Sequence, residues 1–243
     1  MNLLKSTFLK SASIIFVSNI SVAILNYSLV LVASRKLVDS YSLWTALSGL
    51  IAICSTPAYG VYTSLTRSVS VLSQTSLSHV QSYFQSYQKK IIKLWPLALI
   101  ALPIASFFLH ISIAEMTYPI AFLTVFYLIT SIFFGLKHNV LMGLLRIKEY
   151  SITNTVAAFL RLIIGVTLLF LGVQLWALPI ALFTNSIVIY FLGSYFLNRV
   201  YTSHNIPKKS NSEYKIDIKN ELIGVFFTTA GLFMLNTLLY LGL

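Results

Sequence analysis

Few side chains in this sequence are equipped for chemistry, and the most exacting of them is Arg161, in the middle of the apolar run 152–172. That run has about the twenty residues a helix needs to cross a bilayer. Wound at 100° per residue, Asn154, Ala157, Ala158, Arg161, Gly165 and Gly172 share roughly a third of its circumference. Leu, Ile, Val and Phe make up the remaining surface. Small residues admit a neighbouring helix, so a polar stripe of this kind faces protein or a wet cavity rather than lipid. A guanidinium at that depth costs about 2.5–3.5 kcal/mol even on a lenient insertion scale, and so requires a partner or water. Two readings stay open: neutralisation by carbonyls or a neighbouring helix, or recognition of an anion.

A second polar stripe lies in the run 118–141, where Tyr127, Thr130, Ser131, Lys137 and His138 fall within about 120° of arc. Lys137 is near enough to one end to snorkel, or else faces the bundle interior. Asn19 and Asn26, seven residues apart, share a face of the first run with Ser11 and Ser18 nearby. They bond between helices or line a polar pathway. The candidate substrate-binding set is therefore Arg161, Lys137, Asn154, Asn26 and Asn19, with no catalytic or metal-binding member. His110 and Glu115 allow proton handling but equally suit an interfacial histidine and a loop carboxylate. The four histidines are scattered, Cys54 is alone and the six acidic residues never pair. No nucleophile–base or metal spacing results, so neither an enzyme nor a cofactor is expected.

The elements that must position these groups are apolar helices. The chain is 57% hydrophobic and 9% charged over 243 residues, a balance that predicts an all-α, polytopic transmembrane bundle. The net charge of +11 does not signal nucleic acid, because the basic residues sit in short segments between apolar runs. The first run is too long for a signal peptide's apolar core and lacks a clear cleavage site, so it is read as a retained span.

Seven candidate spans follow: 11–33, 42–62, 94–111, 118–141, 152–172, 175–197 and 221–243. With the N-terminus in the cytoplasm, thirteen Lys and Arg lie in inside segments and two, Arg35 and Lys36, outside. That bias places the N-terminus inside. Residues 1–197 then form a six-span lobe and 198–220 a polar cytoplasmic connector. The run 221–243 would open a second lobe, so the chain reads as truncated.

Within the first lobe, segment 67–93 is expected to carry an amphipathic helix at the inner membrane surface. Leu77, Val80, Phe84, Tyr87 and Ile91 recur there at helical spacing, and Lys89, Lys90 and Lys93 would meet anionic headgroups. Pro57 and Pro103 predict bends in the second and third spans. Aligning the first and seventh spans at an offset of 210 residues pairs Lys5 with Lys215 and Asn26 with Asn236, a hint of a parallel repeat.

The stretches ASRKL, SYSLWTALSGL and PAYGVYTSLTR, with VLMGLLRIKEYSI after the fourth span, resemble bacterial oligosaccharide-lipid flippases. These are the O-antigen-unit and capsule exporters of the multidrug/oligosaccharidyl-lipid/polysaccharide exporter superfamily. Arg35, Leu37, Tyr41, Gly60 and Arg67 fit the family pattern. Val38 and Ser42 replace its glycines, and Lys36 is additional.

The resemblance implies an N-terminal half of a two-lobe transporter in the bacterial cytoplasmic membrane, with membrane lipids and a missing C-terminal lobe as partners. Its cargo would be an undecaprenyl-pyrophosphate-linked sugar unit moved by alternating access for polysaccharide (lipopolysaccharide) biosynthesis, with protons or sodium as the open choices of coupling ion. A diphosphate crossing hydrocarbon needs cations in place of its water, and arginine holds phosphate oxygens in a fork. Arg161, with Lys137, would supply them. The alternatives are a drug or metabolite antiporter of the same superfamily, for which a buried carboxylate would be expected, and a membrane enzyme of glycan synthesis.

Overall fold

The computed structural model describes residues 2–93, 95–113, 116–204 and 206. The expected seventh span, most of the connector and the internal repeat lie outside the described residues. Among the described residues there is no strand, and the all-α expectation holds. The elements are α1 (Asn2–Lys36), α2 (Tyr41–Ser73), α3 (Leu77–Ile92), α4 (Trp95–Ser112), α5 (Tyr118–Gly143), α6 (Ile147–Phe170) and α7 (Ala177–Ser203). A single 3-10 turn, Gln174–Trp176, precedes α7. Among the described residues, four helices are long and apolar enough to cross a membrane, and a fifth is added if α3 and α4 form one bent span. By this criterion α2 is not among them, because Ser42, Thr45, Ser48, Ser55 and Thr56 punctuate its apolar half.

The helices outrun the expected spans. α1 and α2 continue well past the apolar runs, and α2 stays helical through Pro57. Serine and threonine hydroxyls make such lengths tolerable by bonding back to their own helix, as Ser21 does to Val17, Ser28 to Ile24 and Thr124 to Ile120. The outer surface is correspondingly apolar. Phe16, Val17 and Ile24 on α1 and Leu97, Ile100, Phe107, Phe108 and Ile111 on α4 are all more than half exposed. Apolar area on that scale belongs against lipid or another protein surface.

Contacts between helices fix their directions. Ser18 meets Ser151 and Thr155, and Leu29 meets Gly165, so α1 and α6 run parallel. Tyr62 meets Ser131, Thr66 meets Asn139 and Val69 meets Gly143, so α2 parallels α5. Phe126 meets Phe183 and Lys137 meets Ser194, so α5 parallels α7. The α6–α7 hairpin turns at Gly172, whose φ of +76° is a left-handed conformation that glycine adopts without strain. Helix direction therefore alternates as successive crossings would require. One end of the bundle collects Lys10, Arg67, Arg146, Lys148 and Arg199, and the other holds Arg35 and Lys36.

Two apolar cores lie at the two ends. The first gathers Leu29, Ala33, Trp44, Leu47, Ile120, Ala121 and Leu169. The second is closed by α3, whose Val80, Phe84, Tyr87 and Ile91 pack against Leu65, Val69, Leu136, Val140 and Leu197. The amphipathic helix expected in 67–93 thus exists, yet its apolar face seals the end of the bundle instead of resting on a lipid surface. The periodicity identified the buried face, but periodicity cannot distinguish lipid from a protein groove as the partner.

Candidate functional site

Between the two cores the helices part around a cavity of about 350 Å³, within the size range of small-ligand sites. Its wall is polar, and five helices contribute to it. α6 presents Tyr150, Asn154, Ala158 and Arg161 at spacings of four, four and three, which is one face of a helix. α1 adds Asn26, α2 adds Tyr59 and Tyr62, α5 adds Tyr127, His138 and Asn139, and α7 adds Asn185.

Arg161 is half-buried in this wall and has no hydrogen bond or ion pair to any described residue. Among the described residues, no aspartate or glutamate lines the cavity. Tyr59 and Tyr127 are tyrosines that share the cavity wall with the guanidinium. Asn26 Oδ1 and His138 Nδ1 are likewise buried without hydrogen-bond partners among the described residues. Buried polar groups are normally satisfied, so two unfilled buried atoms beside an unpaired, half-buried guanidinium mark a place where a ligand's or water's hydrogen bonds are wanted.

Other groups are locked. The Tyr62 hydroxyl donates to the Ser131 carbonyl at 2.6 Å, and its ring occupies the space that a side chain at Gly135 would need. The His138 ring lies nearly parallel to Tyr150, with centroids 4.1 Å apart. A Cβ on Gly193 would come within 3.1 Å of the His138 backbone nitrogen, so glycine lets α7 approach α5 closely there. Asn139 Nδ2 donates to the Gly135 carbonyl at 2.9 Å. The Tyr62, Tyr150 and Gly193 contacts join α2, α6 and α7 to α5 around the cavity, while the Asn139 bond stays within α5.

Of the candidate binding residues read from the sequence, the structure brings together Arg161, Asn154 and Asn26, and with them Tyr127, Ser131 and His138 of the second stripe. Lys137 does not line the cavity. Its Nζ donates to Ser194 Oγ at 2.9 Å and sits 4.4 Å from the Tyr190 ring centroid, which clamps α5 to α7. Asn19 is exposed on the outside of α1. His110 contacts the Met116 carbonyl and turns the chain between α4 and α5, while Glu115 lies outside the described residues.

Tyr62, Asn139 and Tyr150 are cavity residues that the sequence patterns do not single out. Tyr150 lies four residues before Asn154 on the Arg161 face, just outside the apolar run that bounds that span, so extending the stripe by one turn finds it. Tyr62 and Asn139 carry no such signal, because nothing in the spacing of α2 or α5 tells which helix the other faces.

Comparison with protein-family models, with curated proteins and with solved structures finds no match to this chain. Fold and site together define a class nonetheless: a protein whose described residues are helical, with several helices apt for the membrane around a polar cavity whose cation has no ionic partner among those residues.

Proposed function

We propose that this chain is a lobe of a membrane transporter that moves an anionic, sugar-bearing lipid between leaflets, as a flippase for envelope polysaccharide synthesis. The observation that carries this reading is Arg161, a guanidinium that, among the described residues, has no ionic partner and faces a cavity lined by no carboxylate. An unpaired charge in a low-dielectric bundle is costly, and a phosphate or diphosphate offsets that cost in a bidentate geometry. Tyrosine and asparagine around it suit hydroxyl-rich cargo, since phenols and amides both donate and accept. The same positive charge opposes entry of a cationic drug, which places the antiporter reading second.

The resemblance in the turn at Arg35 and Leu37 and in the stretch from Tyr41 to Arg67 supplies the remainder of the reading. It supports a lipid-pyrophosphate carrier, alternating access with a second lobe, and the bacterial cytoplasmic membrane. The basic end of the bundle, at Lys10, Arg146 and Lys148, is then the cytoplasmic one. The test is lipid-linked oligosaccharide translocation in reconstituted vesicles. Arg161→Ala is expected to reduce it by about ten- to a hundred-fold, the value of a charge-assisted hydrogen bond or two, and Arg161→Lys to restore only part. Wild-type translocation by Arg161→Ala overturns the reading.

A further inference from the structure

A second concavity lies on the outer side of the α1–α6 seam. It is a groove of about 860 Å³ between the N-terminal halves of the two helices. Its walls are apolar: Ile14 and Val17 from α1, Ile152 and Val156 from α6. Its floor is polar and ordered, with Ser18 Oγ donating to the Ser151 carbonyl at 3.2 Å and lying 3.0 Å from Thr155 Oγ1. Because α1 and α6 run parallel, with Ser18 beside Ser151 and Thr155, the first turn of α6 lies beside α1 a few turns in from its start, and each helix places a lysine there. Lys10 and Lys148 are each exposed, and each lines the same end of the groove.

We propose that this groove is a binding site for an anionic glycerophospholipid, its phosphate between Lys10 and Lys148 and one acyl chain along Ile14, Val17, Ile152 and Val156. Three observations converge on that occupant. Charge is the first: two lysines line the groove, and among the described residues no carboxylate lines it. The nearby Glu149 is engaged instead with Arg146 at 4.0 Å.

Length is the second. From Lys10 to Ser21 the groove follows α1 for about 16 Å at 1.5 Å per residue, which is half of the roughly 30 Å hydrocarbon core. It therefore accommodates a chain from one leaflet, with the headgroup at the basic end. The third is Ser151, which lines the groove and whose Oγ is buried without a hydrogen-bond partner among the described residues. An acceptor oxygen settling beside Ser18 would satisfy it. The site is separate from the Arg161 cavity, from which it is divided by the α1–α6 seam, and the inference stands whether or not that cavity carries cargo.

The experiment uses the full chain in nanodiscs containing either phosphatidylglycerol or phosphatidylcholine, each with the same diazirine-bearing acyl chain, followed by peptide mapping of the photo-adducts. Phosphatidylglycerol is expected to label residues 14–21 and 152–156 about ten-fold more than phosphatidylcholine, the selectivity two surface lysines confer on an anionic headgroup. Lys10→Gln with Lys148→Gln should lower that labelling to the phosphatidylcholine level, and Lys10→Arg with Lys148→Arg should restore it. Equal labelling by the two lipids in the wild type means ordinary lipid contact and overturns the proposal, even if the glutamine variant fails to fold. So does full retention of the preference in the glutamine variant.

Discussion

The α2–α5 seam is built in two ways along its length. Toward the end closed by α3, Gly143 lets α5 press directly on α2, where an added Cβ would lie 2.8 Å from the Thr66 carbonyl oxygen and 2.7 Å from a Val69 methyl. Two turns earlier, Gly135 gives up the same space not to backbone but to the Tyr62 ring, whose hydroxyl is tied to Ser131. The same pair of helices is therefore shut at one level and propped open at the next. The difference shows that small residues in a bundle are not uniformly packing devices. What they admit, backbone or a polar aromatic side chain, decides whether core or cavity results.

The comparison is most easily broken at the closed level. Gly143→Leu must separate α2 from α5, because backbone cannot yield as a side-chain tip can. Overpacking of this kind should cost about 3 kcal/mol, seen as a lower melting temperature or loss of the monodisperse peak in detergent. A wild-type melt would mean the helices are not in contact there. At the open level, Arg161→Ala should leave the melting temperature unchanged or raised, since it removes a charge with no ionic partner among the described residues, while abolishing most transport. A large drop in stability would instead reveal a structural partner for the guanidinium.

Smaller effects sharpen the same distinction. Asn26→Leu removes a buried carbonyl oxygen that has no partner among the described residues and should stabilise the protein by about 1 kcal/mol. Transport should fall at the same time, the exchange of stability for function expected of a ligand-binding group. Tyr62→Phe deletes the hydroxyl bond to Ser131 and should cost about 0.5–1 kcal/mol, with altered transport because the ring is no longer tethered. Asn19→Ala, on the exposed side of α1, should change neither quantity, and a transport defect there would place Asn19 on the route.

Much of this arrangement is legible in the order of residues along the chain. The apolar runs locate the helices, and the face from Asn154 to Arg161 reads as inward, because lipid tolerates neither group. Asn26 can be placed on a polar face but not assigned to the cavity, since the same face also carries Asn19, which points elsewhere. Lys137 illustrates the limit. Its stripe with Tyr127 and His138 is real, yet a long flexible stem lets its ammonium reach Ser194 and Tyr190 on α7. Helical spacing specifies where a Cβ points and not where a four-carbon chain ends.

Composition and periodicity alone established a helical, membrane-apt chain, a basic bias at one set of segment ends and a cation too deep to be left uncompanioned. These are properties of a single helix in a solvent, so one helix's residues suffice to state them. Tertiary structure alone decided that α3 seals the bundle, that Tyr62, Asn139 and Tyr150 join Arg161, and that α1 and α6 bring Lys10 and Lys148 to one groove. Each of those depends on which helices become neighbours. That choice is made by close packing between surfaces distant in sequence, and short-range spacing carries no record of it.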